Sequence, residues 1–300
     1  MKNEGMKMLK KTEFKIHQLK KNNEGAASIV AAVLIIGIFI SFLSFIQINQ
    51  IPDWTEEREA EHMENVANQF THLKFAADML STIDKSGNKF TTDITLGTKE
   101  IPMPFLKSSK SYGFLTLLDD ECQINITDQG SNSSSYPLGS IKYSSRNTEY
   151  VNMEYIYEAG GIIINQKSGN VMYSMPYFSV DYGSTVDITY DTINFIEVSG
   201  KKYTTGNVRT PLQIEYVGKN ISTINNVDTI KIISKYPSAW NNFLNTSLSS
   251  SGLEYGSSND YIINETNDET SIDFNNALSV DLDIRISEIN IQIGPGWINK

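Results

Sequence analysis

The sequence predicts an α+β protein, with a long N-terminal helix, first hydrophobic and then amphipathic, followed by a mostly antiparallel β-sandwich-like head. Three observations carry this expectation. No charged residue occurs between positions 25 and 52; apolar residues recur at heptad spacing from Met63 to Leu80; and all fifteen tyrosines lie between Tyr112 and Tyr261, among short β-branched runs broken by Gly, Ser and Asn.

The first segment, 1–25, is a basic leader with seven lysines against three acids, a local charge of +4. The rest of the chain therefore carries −14 of a net −10. The stretch AASIVAAVLIIGIFISFLSFI from Ala26 to Ile46 follows. Its twenty-one residues at ~1.5 Å each reach about 31 Å, enough for a bilayer core of ~30 Å. Residues 26–51 are thus expected to form a single membrane span. Lysines before it and Asp53, Glu56 and Glu57 after it place the N-terminus in the cytoplasm and the C-terminal bulk outside, by the positive-inside rule. The apolar run far exceeds a secretory h-region, and no small-x-small cleavage site follows it, so the segment is expected to stay with the protein.

Pro52 disfavours helix at Ile51 and lacks a donor, so a kink or break is expected there, with Asp53 as N-cap and Glu56 completing a capping-box-like pair. A second helix over 53–86 then carries the seam Met63, Val66, Phe70, Leu73, Ala77 and Leu80, with Gly87 ending it. Such a seam serves either its own domain's core or a second helix, and three heptads do not decide between them.

The head is expected over 90–300. Strands are predicted at 112–118, 150–157, 161–165, 185–190, 192–198, 212–217 and 229–234, with Ser199-Gly200 as a hairpin turn between Ile196 and Tyr203. One short helix is expected at 237–245, with Pro237 in its first turn and Trp240, Phe243 and Leu244 on one face. Near the C-terminus Val280, Leu282, Ile284 and Ile286 alternate with polar residues, and the phase then shifts to Ile289, Ile291 and Ile293. One extra residue at Ser287 or Glu288, as a bulge or a break between two strands, would produce that shift.

The same composition excludes several function classes. The sequence has one cysteine, Cys122, and three histidines, His17, His62 and His72, all in the first quarter. Disulfide frameworks, multi-cysteine metal sites and His-based triads lack their residues over most of the chain. The acidic balance disfavours nucleic acid as a partner. No P-loop, Rossmann fingerprint, GxSxG or HExxH occurs, so no cofactor, metal or catalytic residue is assigned and no enzymatic activity is expected. The acids at Asp119, Asp120 and Glu121, and at Asp260, Glu265, Asp268, Glu269 and Asp273, lack EF-hand spacing and read as solvated surface. Sequons at Asn125, Asn132, Asn220, Asn245 and Asn264 all fall on the expected external side. Their number is about what chance gives for this composition, so only their location makes them candidate glycan sites.

A lysine-rich leader, KKNNEG, the apolar run from Ala26, an amphipathic helix and a β-rich body together resemble the type IV pilin-like proteins of archaea, the superfamily of archaellins and adhesion pilins. The resemblance covers about the first 85 residues. It implies a class III signal peptide cut by a prepilin peptidase between Gly25 and Ala26. It also implies an apolar helix that anchors the subunit and then self-associates in a filament core, drawn out by an assembly ATPase and a platform protein. Small residues Ala26, Ala27, Ala31, Ala32 and Gly37 would let such helices approach closely. The chain departs from family patterns at Glu24, Ser28 and Val30, the last standing where bacterial pilins carry Glu. Alternatives therefore stay open: a minor or accessory subunit, including an archaellum stator-like protein, a single-pass anchored β-sandwich that binds an envelope component, or, less favoured, a surface hydrolase using carboxylates.

Overall fold

The computed structural model describes residues 27–294 except 101, 103–105, 107, 199 and 200. The chain divides into two compact units, one formed by residues 1–54 with 101–108 and the other by 55–100 with 109–300.

Helix runs without interruption from Ala27 to Ile83. It comprises α1 (27–45), a π-helical turn at Ile46–Gln50, and α2 (Ile51–Ile83). The break expected at Pro52 is therefore not there, and Asp53 lies inside the first turn of α2 instead of capping it. The reason is local. A proline needs neither a donor nor room at the carbonyl four residues back if the turn before it widens, and a π turn supplies that widening. Asn49 helps, its side-chain amide donating to the Phe45 carbonyl at 3.1 Å.

In the second unit the helix ends earlier than expected, at Ile83, where Asp84 takes a left-handed conformation with φ 50° and its amide still reaches the Leu80 carbonyl. Among the described residues fourteen strands and one further helix follow. One sheet has the order β1 (Lys89–Thr95), β10 (Arg209–Ile224), β14 (Val280–Ile293), β8 (Val186–Glu197), β7 (Tyr177–Tyr182). The other, of nine strands, has the order β12 (Tyr261–Glu265), β13 (Glu269–Phe274), β11 (Val227–Ile233), β2 (Tyr112–Asp128), β3 (Ser133–Arg146), β4 (Met153–Glu158), β5 (Gly161–Gln166), β6 (Gly169–Ser174). Strand β9 (Tyr203–Gly206) joins β2. Pairing is antiparallel throughout except between β14 and β8. The architecture is thus α+β, a long apolar helix leading into mostly antiparallel, curled sheets.

Two apolar cores hold the second unit together, and both sheets contribute to each. One gathers Cys122, Ile124, Ile156, Tyr190, Ile232 and Leu282 around helix α3 (Pro237–Ser250), whose Trp240, Phe243 and Leu244 are buried as their spacing predicts. The other forms around α2. All six seam residues, Met63 to Leu80, are 3% exposed or less and lie with Leu115, Tyr143, Tyr155, Leu212 and Ile291. The seam serves its own domain, not a second helix.

The two cores explain the phase shift in β14. Its register with β8 is unbroken from Val280↔Val186 to Ile291↔Glu197, so no residue is inserted at Ser287 or Glu288. Even-numbered residues up to Ile286 face the α3 core; odd-numbered ones from Ser287 onward face the α2 core. Strand β8 does the same, with Tyr190 on one side and Ile193 and Phe195 on the other. The bulge that does occur is on the neighbour β10, between Tyr216 and Gly218, opposite Ile289 and Glu288. The expected hairpin between Ile196 and Tyr203 is likewise replaced: β8 and β9 pair in different sheets, and Ser199-Gly200 lies outside the described residues.

Deleting a seam side chain should therefore unfold the head, not merely dissociate it. Phe70→Ala is expected to cost about 3–5 kcal/mol in chemical unfolding of the detergent-solubilised chain followed by tryptophan fluorescence, whereas Phe75→Ala, on the exposed face of α2, should stay within about 0.5 kcal/mol.

Candidate functional site

Three features can carry function: the N-terminal apolar helix, a polar groove on the nine-stranded sheet, and buried carboxylates that fix the elements around the head. In the first unit, side chains on every face of the helix from Ile29 to Ile48 are exposed, among them Val33, Leu34, Ile36, Ile38, Phe39 and Phe42. With a mean hydropathy of 2.9 over its most apolar window, it is the one helix among the described residues long and apolar enough to cross a membrane. Gly37 has open space where a side chain would stand. A helix apolar all round is stable only in lipid or covered by other apolar surface.

The groove is built by strand register. Phe114, Ser144, Glu154 and Asn165 stand directly opposite one another on β2, β3, β4 and β5. At roughly 4.8 Å between strands they form a row about 14 Å long on one face. Above this floor lies a groove of ≈590 Å³, also lined by Arg146, Asn152, Gln166 and Lys167. Glu154 is held in place from several sides. Asn165 Nδ2 donates to its Oε2 at 2.8 Å, Ser144 Oγ to its Oε1 at 2.9 Å, and Lys142 Nζ lies 3.5 Å from Oε1. Burial pushes its carboxyl pKa up, but these three partners outweigh burial and hold it below the usual carboxylate range. Arg146 sits over the Phe114 ring at 5.8 Å.

The wall of the groove is set by α2. Glu59, fully buried, accepts the backbone amides of Thr148, Glu149 and Tyr150, each at 2.8 Å, and so pins the β3–β4 loop. Asn152 closes the same loop, accepting the Asn147 amide at 2.7 Å. One turn along the helix His62 is buried too, 3.1 Å from the Tyr143 hydroxyl, which donates to the Leu96 carbonyl at 3.0 Å. Since that hydroxyl proton is already committed, His62 Nε2 is the donor to Tyr143. Gly113 makes the arrangement feasible: a Cβ there would stand 2.2 Å from the Leu96 carbonyl oxygen. Desolvation lowers the His62 pKa and keeps the ring neutral, against weaker opposing contributions from the Leu96 backbone and Glu59.

The second buried carboxyl joins α3 to the β4–β5 hairpin. Glu158 Oε1 accepts Ser234 Oγ at 2.5 Å and Trp240 Nε1 at 2.8 Å. The turn that follows places Ala159 at φ 44° and Gly160 at φ 82°, and the Ala159 carbonyl accepts the Tyr190 hydroxyl at 2.8 Å. Burial raises the Glu158 pKa to about 7 in spite of the two donors. Cys122 lies in the same core, fully buried, its thiol pushed well up by desolvation and therefore unreactive.

A comparison of the chain with protein families, with curated proteins and with solved structures finds no match.

The remaining sequence candidates are dispersed. Gly25 and Ala26 lie outside the described residues. Asn132, Asn220, Asn245 and Asn264 are exposed, while Asn125 is half-buried within β2, its Oδ1 accepting Gln123. Asn132 and Asn264 spend their amide groups on Asp128 and Asp273. The acidic runs are engaged as well: Asp119 with Lys202, Glu121 with Lys235, and Glu265 with Ser238 and Asn241. Among the described residues no group of three or more His, Cys, Asp or Glu side chains could hold a metal ion. The groove and the buried Glu59 and Glu158 went unassigned at the sequence level. For Glu59 a signal existed: Thr55, Glu59 and His62 extend the heptad seam backward, and a charged residue at a core position demands a partner.

The buried pair gives the head a pH signature of stability. Glu158 is more easily protonated folded than unfolded, so its contribution is complete below pH ~4.5 and falls by roughly 3 kcal/mol as pH rises through about 7. His62 acts oppositely: its contribution is complete above pH ~6.5 and is lost as the pH falls through its depressed folded value. In urea titrations from pH 4 to 8, Glu158→Gln should flatten most of the decline toward pH 7 and keep the acid-side loss, to which His62 and Glu154 both contribute.

Proposed function

We propose that this chain is a type IV pilin-like surface protein, made as a membrane-anchored precursor that assembles into or accompanies an extracellular filament. One observation carries the reading above all others. The helix from Ala27 is apolar on every face, with exposed side chains from Ile29 to Ile48, so it needs lipid or the apolar helices of sister subunits to cover it.

In this reading the basic leader is removed between Gly25 and Ala26 by a prepilin peptidase, and the helix first spans the membrane with the head outside. It then self-associates through its apolar surface with the help of the assembly machinery. The head, in sandwich-like arrangement, displays its surface outward for adhesion or subunit contact and performs no catalysis. A second reading is favoured by a specific residue: Val30 in place of the pilin Glu suits an anchored or accessory subunit that never polymerises.

N-terminal mass spectrometry on protein extracted from membranes tests the proposal. A mature chain starting at Ala26 is the expected result, and an intact Met1 would leave a plain single-pass anchor. Gly25→Leu should then block processing and retain the full leader. Recovery of the chain in a filament fraction sheared from cells separates the polymerising form from the accessory one.

A further inference from the structure

The groove over β2–β5 has the character of a binding site, and we infer that it takes an acidic saccharide, a polyhydroxyl chain carrying scattered carboxylates. The inference rests on the reading of the head as the part that faces outward.

Charge comes first. The head is strongly acidic, yet the groove brings two cations together, Arg146 and Lys167, and among the described residues neither has an ion-pair partner. Its one acid, Glu154, is neutralised from the side by Lys142. Unpaired cations set in a surface of opposite sign focus an anion at that place. Arg146 is the better defined of the two, since its planar guanidinium matches a carboxylate by two parallel hydrogen bonds and can stack on Phe114 at the same time.

The floor narrows the class. A ligand built only of phosphates or closely spaced carboxylates would meet the Glu154 carboxylate and be repelled. A sugar would instead donate hydroxyl protons to it, because a carboxylate has about four acceptor positions and Glu154 uses three. Ser144, Asn152, Asn165 and Gln166 add uncharged groups that can donate and accept along the same row. The volume lies within the range of small-ligand sites, and the groove is open to solvent, so a segment of a longer chain could settle on it. Rigidity supports affinity: Glu154 is fixed by its neighbours, and the loop carrying Asn152 is fixed by Glu59 on α2, so little order has to be imposed on binding.

The test uses the full chain in detergent micelles and isothermal titration with oligogalacturonate as probe, maltohexaose as the neutral counterpart and poly-glutamate as an anion without sugar rings. Oligogalacturonate should bind, and binding should weaken about tenfold or more in the double variant Arg146→Gln with Lys167→Gln. It should remain unchanged in Arg209→Gln with Lys219→Gln, which removes the same charge from strand β10 of the five-stranded sheet, away from the groove. Affinity should also fall between low and high salt. No binding of oligogalacturonate by the unaltered chain overturns the inference. So does equal binding of maltohexaose or poly-glutamate, or equal loss in both double variants. A melting curve of each variant separates lost binding from lost fold. Because the titration does not depend on leader cleavage or polymerisation, it can fail while the pilin-like reading survives, and the reverse.

Discussion

Burial of the α2 seam is the interaction on which the rest of the second unit depends. Neither sheet closes a core alone. Strands β8 and β14 bury one face against α3 at one end and the opposite face against α2 at the other, so removing either helix would leave half of each strand exposed on a face lined with Ile and Phe. The five larger seam side chains, all but Ala77, at about 1.5–3 kcal/mol each supply a stabilisation comparable with the whole net stability of an ordinary domain. The helix is therefore less an attachment to the head than its central member. This also accounts for its polar beginning: Glu59 and His62 occupy core-facing positions and can stay there only because the β3–β4 loop and Tyr143 supply hydrogen bonds.

Glu59 and Glu158, two of the buried carboxyls, solve the same electrostatic problem differently. Glu59 has three backbone amides converging on its two oxygens, a cage that satisfies a charged acceptor and orders the loop that provides it. Glu158 has two neutral side-chain donors, both on one oxygen, and sits in a core of Trp, Tyr and aliphatic groups. Two donors do not offset full desolvation, so it is held more readily as the acid. Glu59 gathers amides from one loop, whereas Glu158, which can be neutral, serves as a hydrogen-bonded link between distant elements.

How much of this was legible in the sequence follows from the distance over which each signal acts. The apolar run, the seam and the face of α3 are local periodicities, and all three appear where the spacing put them. Pro52 is an instructive miss, because the rule that a proline ends a helix assumes that the preceding turn keeps its pitch, and here that turn is a π turn. The shift near Ser287 was located correctly and explained wrongly. A change of phase in apolar residues reports only which face is covered, and either an inserted residue or a second core on the other side can produce it. The choice between them depends on the register with β8, whose residues lie some ninety positions away.

The groove could not have been read from the sequence for a related reason, and that reason bears on its use. Phe114, Ser144, Glu154 and Asn165 are spread over fifty positions and share no motif; they become neighbours only because four strands pair in one register. A site of this kind belongs to the sheet and is as rigid as the hydrogen bonds that set the register. Its wall is tied by Glu59 to the helix that continues toward the apolar segment. The residues nearest the ligand are thus held by the two most rigid elements available, a paired sheet and a buried helix, instead of by free loops. For a site that takes a chain-like ligand, that rigidity limits the order that has to be imposed on binding.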